Sequence, residues 1–408
     1  MNTSLPVLTD REPPDAELPE PARLAAEADG GRLAFDALYV HVPFCVHKCH
    51  YCDFYSITRQ TAGRMSAFVD RILAEAEQWA PHVATGRVRT VFFGGGTPSL
   101  LPLGLMRRLI DGLKARLDLT AASEFTIECN PATVDAAWLA GVREAGADRL
   151  SFGAQSFHPR ELKVLERHHD PDDVLRSLDL ARSAGFSRLS LDLIYGIPGQ
   201  TLDDWAESLR RALTCGTTHL SAYLLTYEPN TPLAVRRRLG QVTPLEESLE
   251  LSMLAFTRRT LAQAGMPAYE ISNFAAAGQA CRHNLNYWLG GSYLGLGPSA
   301  ASHWRGWRWR NRPHLGEWEA AVDGGRLPAI EVEQLSPARQ VAERAYLGLR
   351  LSRGVSWTSL GEGSRQRFWP FVERYRRSGL LDTDDEGFRL TEAGVAVADG
   401  LSAELLTL

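Results

Sequence analysis

The sequence predicts an α/β protein whose core is a partial (β/α)6, TIM-like barrel, followed by a smaller α+β domain. Two observations support this fold class. Six short apolar runs alternate with helix-period segments between residues 37 and 226, and parallel strands buried on both faces read as apolar runs joined by crossover helices. The chain has 408 residues and is 44% hydrophobic, so it is long enough to bury a sizeable core.

The apolar runs define the strands of the barrel, and the segments between them define its helices. Each strand is followed by a helix, which favours parallel pairing in chain order. Chemically suggestive residues follow the first five strands, and the active site of a parallel βα barrel lies at the carboxyl ends of its strands. The predicted strands are 37–42, 90–95, 124–129, 149–154, 188–195 and 219–226, and the predicted helices are 64–79, 104–117, 134–145, 171–184 and 202–213.

The regions outside the alternating pattern suggest the domain organisation. Residues 1–36 are acidic and rich in proline and alanine, which predicts a mobile tail. We assign the barrel domain to 37–270 and an aromatic, glycine-rich connecting region to 271–334. In the remaining part, 335–408, helices precede a turn-rich segment at 379–394, which predicts a hairpin and a winged-helix-like domain with a packing or partner role.

Composition argues against several functional classes. The net charge of −5 argues against a dedicated nucleic-acid binder, although an arginine excess across 305–377 leaves such a partner open. No stretch approaches the roughly 20 apolar residues that span a bilayer, and the N-terminus lacks the order of a signal peptide. Six cysteines in so long a chain do not form a disulfide scaffold. We therefore expect a cytoplasmic protein that is not an integral membrane protein.

Three of the six cysteines lie close together directly after the first predicted strand. Cys45, Cys49 and Cys52 form a C-x3-C-x2-C loop, and thiolates are the ligands that hold iron–sulfur clusters. Three thiolates on a four-iron cluster leave one iron open for an exogenous ligand. Zinc is the competing interpretation, with His47 or His50 as further ligands, but structural zinc sites usually combine two close ligand pairs.

This cysteine loop, at the end of the first strand of a βα barrel, is similar to the signature of the radical S-adenosylmethionine (SAM) superfamily. The resemblance covers at least residues 37–230. It implies a [4Fe-4S] cluster whose open iron binds the amino and carboxylate groups of SAM. It also implies that one electron cleaves the sulfonium bond and releases a 5′-deoxyadenosyl radical, so an electron donor is an expected partner.

The resemblance also implies a set of SAM-binding residues after the other strands. The glycines that precede Thr97 match the family's glycine motif, and glycine lets the backbone approach a ligand. Arg167 suits the methionine carboxylate, and a carboxylate suits the ribose hydroxyls or the methionine ammonium. Taken singly, each polar residue is also compatible with an ordinary surface or core position. The implied set, as in the coproporphyrinogen oxidase-like branch, is Tyr39, Tyr51, Gly95, Gly96, Thr97, Glu128, Gln155, Arg167 and Asp192.

Two further features point to a branch of the superfamily. The stretch DLIYGIPGQT at 192–201 resembles oxygen-independent coproporphyrinogen III oxidases and their relatives. Phe54 stands where those oxidases have a further cysteine, which argues against oxidase activity. The segment from His283 to Trp288 matches the HNxxYW motif of the HemW group of haem chaperones, which deliver haem to haem proteins. The resemblance implies haem as a ligand, His283 as its candidate axial ligand, and acceptor haem proteins, including respiratory enzymes at the membrane, as partners.

Two functions from different classes remain open. One is a haem chaperone with a SAM-reactive cluster, and the other is a radical enzyme that decarboxylates, methylates or cyclopropanates a porphyrinogen or another small molecule. A haem site needs an axial ligand, apolar walls and cations for the propionates; His41 and His303 rival His283 as ligands. We expect SAM cleavage but not coproporphyrinogen oxidation, and we assign no catalytic residue. The candidate walls and cations, which alternatively form an aromatic core with a solvated arginine rim, are Tyr287, Trp288, Trp304, Trp307, Trp309, Arg282, Arg305, Arg308, Arg310 and Arg312.

Overall fold

The computed structural model describes residues 20–408, and a single eleven-stranded sheet organises most of them. Its centre consists of six parallel strands that pair in chain order. Every predicted strand is present, with ends that differ by at most two residues. The strands are β1 (Ala37–Val42), β2 (Thr90–Gly95), β3 (Glu124–Cys129), β4 (Arg149–Gln155), β5 (Arg188–Tyr195) and β6 (His219–Leu224).

Helices connect the parallel strands, as crossover connections require. Side chains cap several of their N-termini, and Thr201 forms a reciprocal capping box with Asp204. No helix within residues 20–408 combines the length and apolar character needed to cross a membrane. The helices up to the end of the barrel are α1 (Pro21–Ala26), α2 (Ala62–Trp79), α3 (Leu103–Arg116), α4 (Ala136–Glu144), α5 (Pro159–Val164), α6 (Pro171–Ser183), α7 (Leu202–Thr214), α8 (Pro232–Arg238) and α9 (Glu247–Gln263).

The connecting region extends the sheet at both edges. One strand pairs antiparallel with β6, another pairs parallel with β1, and three more continue that edge antiparallel. The two outermost strands of the described chain do not pair with each other, so the sheet stays open and the predicted partial barrel is confirmed. The added elements are β7 (Asn273–Ala275), α10 (Arg282–Trp288), β8 (Tyr293–Leu296), β9 (Ala301–Trp304), β10 (Trp307–Asn311), α11 (Leu315–Asp323) and β11 (Ala329–Gln334).

The segment before β1 belongs to the folded domain, so the predicted tail at 1–36 is wrong for residues 20–36. Leu24, Leu33 and Phe35 are completely buried in the core of the barrel. Leu24, Leu33 and Phe35 are the only large apolar residues of this segment, which is why its composition resembles that of a tail. The first part of the predicted tail, before residue 20, lies outside the described residues.

The C-terminal residues form a small α+β unit with its own apolar core, which includes Phe368, Phe371 and Phe388. Its three strands make an antiparallel sheet, and two of them form the hairpin predicted at 379–394. The elements are α12 (Pro337–Leu349), β12 (Val355–Ser356), α13 (Trp357–Leu360), α14 (Ser364–Arg377), β13 (Leu381–Thr383), β14 (Gly387–Leu390), α15 (Glu392–Val395) and α16 (Ala398–Leu405).

Candidate functional site

A large cavity opens at the carboxyl ends of the parallel strands and has a volume of about 1090 Å³. Segments that end or follow all six parallel strands contribute to its wall, together with parts of the C-terminal unit. The sequence predicted a site on this face, because the loops after parallel strands converge there. The expected residues that line the cavity are Cys45, Cys49, Tyr51, Cys52, Gly95, Gly96, Thr97, Glu128, Gln155, Arg167 and Asp192.

The loop between β1 and α2 carries the three cysteines, whose thiols are free and partly exposed. Backbone hydrogen bonds fix the start of this loop to the end of β2. Gly96 N donates to the Val42 carbonyl at 2.8 Å, and Thr97 N donates to the Phe44 carbonyl at 2.7 Å. The Thr97 hydroxyl also lies 3.6 Å from Cys45 Sγ. The first thiol is therefore held where two adjacent strands end.

The positions of the three sulfur atoms do not suit a single zinc ion bound by all three. A tetrahedral zinc ion with Zn–S bonds of about 2.3 Å places its sulfur ligands about 3.8 Å apart. Within the described residues, the Sγ atoms of Cys45, Cys49 and Cys52 do not all lie within 4.8 Å of one another. Burial raises the pKa of the Cys52 thiol to about 11, so cluster binding must release its proton.

The glycines at the end of β2 are required by the packing of the protein itself. A Cβ on Gly96 would lie 2.8 Å from the Phe44 carbonyl oxygen. Gly95 has φ of 103°, and a Cβ there would lie 2.5 Å from the His41 ring. These glycines let the cysteine loop and β1 approach β2 closely. The sequence-based explanation, close approach of a ligand, is therefore incomplete, although both glycines line the cavity.

Arg167 joins the cysteine loop to β4. Its Nη2 donates to the Gly153 carbonyl at 2.7 Å, and its Nη1 lies 3.6 Å from Cys49 Sγ. The Nε atom is buried and has no hydrogen-bond partner. A buried donor without a partner is costly, and a carboxylate is the strongest partner for a guanidinium. Arg167 is thus available to bind an anionic group of a ligand.

Glu128 and Asp192 place two recessed carboxyl groups in the cavity. Gly95 N donates to Glu128 Oε2 at 3.2 Å, and the Ser151 hydroxyl donates to Asp192 Oδ2 at 3.1 Å. Desolvation, reinforced by the charge of Asp192, raises the pKa of Glu128 to about 7. Desolvation also raises the pKa of Asp192, against the effect of nearby donors. A cationic ligand would therefore be stabilised by these carboxylates and would favour their ionised forms.

Gln155 occupies an unusual backbone conformation at the cavity wall. Its φ is 63°, and the pairing of β4 with β5 is irregular between Gly153 and Gln155. Positive φ is uncommon for a residue other than glycine, and such strain clusters at ligand sites. Gln155, at this irregularity, lines the cavity.

The two tyrosines of the expected set are placed differently. Tyr51 lines the cavity beside the cysteines, and burial raises its pKa well above the usual value. Tyr39 lies on β1, where its hydroxyl is 3.1 Å from His41 Nδ1 and its ring stacks against Phe92. The structure therefore brings Tyr51 to the cavity wall, whereas Tyr39 does not line the cavity.

His283 lies at the opposite end of the barrel. Its Nδ1 is 2.9 Å from the hydroxyl of Thr90, which begins β2, and its Nε2 is 2.9 Å from the Tyr287 hydroxyl. The residue is only 1% exposed, and burial lowers its pKa to about 3. Both ring nitrogens are hydrogen-bonded, so ligation of haem iron by His283 requires these bonds to open.

The rival histidines are also hydrogen-bonded in the structure. His41 Nε2 lies 2.9 Å from the Tyr55 carbonyl oxygen, and its Nδ1 contacts Tyr39. His303 Nδ1 lies 3.2 Å from the Gly291 carbonyl oxygen. Neither ring lines the cavity.

The aromatic and arginine-rich residues between Trp304 and Arg312 form a packed core with a rim of arginines, which is the alternative to a haem site. Trp304 and Trp309 are buried in the core of the barrel. Four of the arginines form ion pairs, which accounts for their clustering without a ligand. These pairs are Arg305–Asp29, Arg308–Glu333, Arg310–Glu331 and Arg312–Glu317.

The cavity wall includes residues that the sequence analysis did not assign to a site. Tyr346, Arg350 and Val397 come from the C-terminal unit. The Arg350 guanidinium lies 4.7 Å from the centre of the Trp288 ring and donates to Asp399 at 2.9 Å. No local signal identified these residues, because they reach the cavity only through packing of the C-terminal unit against the barrel.

Comparison with known proteins agrees with this architecture. The Radical SAM superfamily pattern matches residues 39–212, and the HemN C-terminal domain pattern matches 335–397. The haem chaperone HemW of Mycobacterium tuberculosis is 36% identical over 373 residues, covering 90% of this chain and 94% of that protein. The haem chaperone HemW of Escherichia coli is 40% identical over 264 residues, covering 65% of this chain and 69% of that protein.

Among solved structures, coproporphyrinogen III oxidase (HemN) from Escherichia coli has the same overall fold. The TM-score is 0.81 at 23% sequence identity, and the match covers 92% of this chain and 91% of that chain. At this identity the likeness establishes the fold alone.

Proposed function

This chain belongs to the HemW family, a branch of the radical SAM superfamily, and we propose that it is a haem chaperone that transfers haem to acceptor haem proteins. The family resemblance read from the cysteine loop and the HNxxYW motif is thereby confirmed. The observation that supports the function most directly is the cavity, which combines the cysteine loop with an apolar wall. Both the barrel domain and the C-terminal unit contribute to this wall.

We assign the polar part of the cavity to a [4Fe-4S] cluster and SAM. Cys45, Cys49 and Cys52 would hold the cluster, which when bound would supply the electron that cleaves the sulfonium bond of SAM. Arg167 would bind the methionine carboxylate through its unpartnered Nε. Glu128 would bind the methionine ammonium or the ribose hydroxyls of SAM. The remaining wall residues of this part are Tyr51, Gly95, Gly96, Thr97, Gln155 and Asp192.

We place haem against the wall that follows β6 and continues into the C-terminal unit. Leu225, Ile271 and Val397 give this wall apolar character, and Arg350 supplies a cation for a propionate. The cavity volume of about 1090 Å³ lies slightly above the usual range of about 300–1,000 Å³ for a small-molecule pocket. His283, the iron ligand predicted from the sequence, lies at the opposite end of the barrel, so a haem at this wall would need another axial ligand, and ligation by His283 would instead require haem to bind at the amino end.

A radical enzyme of the coproporphyrinogen oxidase type is the competing function. Phe54 lines the cavity, and its side chain can neither ligate iron nor exchange a proton. This position therefore argues against that activity.

We further propose that the protein acts in the cytoplasm and receives an electron from a donor protein. Its proposed acceptors are haem proteins, including respiratory enzymes at the membrane.

A hemin titration of the anaerobically prepared protein tests the proposal. We expect a Soret band and no conversion of coproporphyrinogen III to protoporphyrinogen under conditions in which SAM is demonstrably cleaved. Arg350→Ala should weaken haem binding about tenfold or more, the value of a charge-assisted hydrogen bond, whereas Arg353→Ala, an exposed neighbour, should not. His283→Ala should shift the Soret band if His283 ligates the iron. Decarboxylation without haem binding would reverse the assignment.

A further inference from the structure

Three potential metal ligands meet at the cavity wall outside the proposed SAM set. One nitrogen each of His47 and His168 and one carboxylate oxygen of Glu166 all lie within 4.8 Å of one another. His47 lies on the cysteine loop, and the other two residues lie between α5 and α6. All three line the cavity, and the proposed function uses none of them.

The hydrogen bonding of these side chains leaves ligand positions open. His47 Nε2 is buried and has no hydrogen-bond partner. A buried polar atom without a partner is costly, and a ligand at that position would remove the cost. Glu166 lies 3.7 Å from His50 Nδ1, a distance too long for a hydrogen bond. The carboxylate of Glu166 is therefore held only by this ion-pair contact, which a metal ion could replace.

We propose that His47, Glu166 and His168 form a binding site for one divalent transition-metal ion, with zinc as the test ion. Two imidazole nitrogens and a carboxylate oxygen form a ligand set used by zinc sites that keep a further position for water or substrate. Because all three residues line the cavity, this remaining position faces the cavity. The site is independent of haem and of SAM.

The arrangement of the two imidazoles excludes a haem sandwiched between them. Two axial histidines bind haem iron from opposite faces of the porphyrin, which separates their rings. The rings of His47 and His168 instead stack on each other, with centroids 4.4 Å apart and an interplanar angle of 25°. They can therefore ligate a small ion from the same side but cannot enclose a porphyrin.

A bound ion would connect two segments that meet at the predicted cluster. His47 lies in the loop between Cys45 and Cys49, and Arg167 lies between the other two ligands in the sequence. The ion would thus hold the cysteine loop against the segment that carries Arg167. We expect metal binding at this position to stiffen the junction between these two segments.

Titration of anaerobic, cluster-loaded protein with Zn²⁺ alone tests the site by calorimetry. We expect one ion per chain to bind at this site. Glu166→Gln and His168→Ala should each weaken Zn²⁺ binding by at least about tenfold, the lower end of what even supporting residues of metal sites contribute. Iron content should stay unchanged in both variants. His314→Ala, which removes an exposed histidine elsewhere, should leave Zn²⁺ affinity as in the wild type.

Equal Zn²⁺ affinity in the wild type and both variants would overturn the proposal. Zinc uptake that releases iron would also overturn it, because the zinc would then occupy the cysteines. Loss of the haem spectrum in His168→Ala with unchanged Zn²⁺ affinity would reassign this histidine to haem. Since the readout is Zn²⁺ binding in the absence of haem, failure here leaves the haem-chaperone proposal intact.

Discussion

Buried polar groups at the two ends of the parallel barrel differ in whether they have hydrogen-bond partners within the protein, as Arg167 and Glu124 illustrate. At the carboxyl end, Arg167 Nε and His47 Nε2 are buried without hydrogen-bond partners. At the amino end, the fully buried side chain of Glu124 accepts hydrogen bonds from the backbone N–H groups of Arg282 and His283, at 3.1 and 2.9 Å, and pairs with Arg188. Arg167 and His47 therefore keep hydrogen-bonding capacity for a ligand, whereas Glu124 is already paired within the protein and stabilises the fold.

This difference shows how to evaluate an attractive motif. The HNxxYW segment contains residues suited to a haem site, but it lies at the amino end, where His283 is hydrogen-bonded through both ring nitrogens. Functional residues of βα barrels concentrate at the carboxyl end of the strands. The predictions below test whether the two ends have separate roles, beginning with the largest expected effect.

Replacement of Cys45, Cys49 and Cys52 by alanine should abolish the cluster. Iron should fall from about four atoms per chain to none, because the remaining cysteines, Cys129, Cys215 and Cys281, are buried singly in other parts of the chain. The measurement is iron content together with visible absorbance after anaerobic purification. Cys215→Ala, at a buried position at the end of α7, should keep its iron. A triple variant with full iron content would show that the cluster is held elsewhere.

Removal of the carboxylate at the amino end should lower stability without affecting ligand binding. Glu124→Ala leaves two backbone N–H groups without their acceptor and removes one of the two carboxylates that pair with Arg188, and breaking a buried pair costs about 3–5 kcal/mol. The free energy of unfolding from denaturant titration measures the loss. Glu144→Ala breaks an exposed pair with Arg107 and should cost less than about 1 kcal/mol. Reduced SAM binding by a folded Glu124→Ala variant of normal stability would contradict the division of roles.

Substitutions at the carboxyl end should weaken ligand binding without lowering stability. Arg167→Ala and Asp192→Ala should each weaken SAM binding about tenfold or more, because a hydrogen bond to a charged group contributes about 1.5–3 kcal/mol. Calorimetry with SAM on cluster-loaded protein measures the change, and iron content should remain intact. Arg160→Ala, an exposed residue paired with Asp204, is the control. Unchanged SAM affinity in both test variants would refute the proposed pocket.

The smallest expected effect is a pH dependence of SAM binding. The pKa of Glu128 is raised to about 7 by desolvation and by Asp192, with Arg149 opposing the shift. Since the ionised carboxylate is the form that stabilises a cation, affinity should fall several-fold as the pH is lowered from about 8 to about 6. Glu128→Gln should flatten this profile. A wild-type profile as flat as that of the variant would remove Glu128 from the cation-binding role.

Local sequence information was sufficient for the parallel strands and for the cysteine loop. Apolar runs report burial on both faces of a strand, and the helices between them force parallel pairing. The carboxyl ends of such strands converge, so the sequence predicts one site for residues as distant in the chain as Cys45 and Asp192. Both line the cavity.

The sequence by itself determined the strand order, the open barrel and the family, since these depend on short-range periodicity and contiguous motifs. Only the tertiary structure decided which polar groups have partners. Thr90 and His283 are 193 positions apart, yet their hydrogen bond holds the imidazole at the amino end. Likewise, packing of the C-terminal unit brought Arg350 to the cavity, and packing of the cysteine loop brought His47 beside His168. Such contacts depend on distances between segments that are remote in the chain, and no local pattern encodes them.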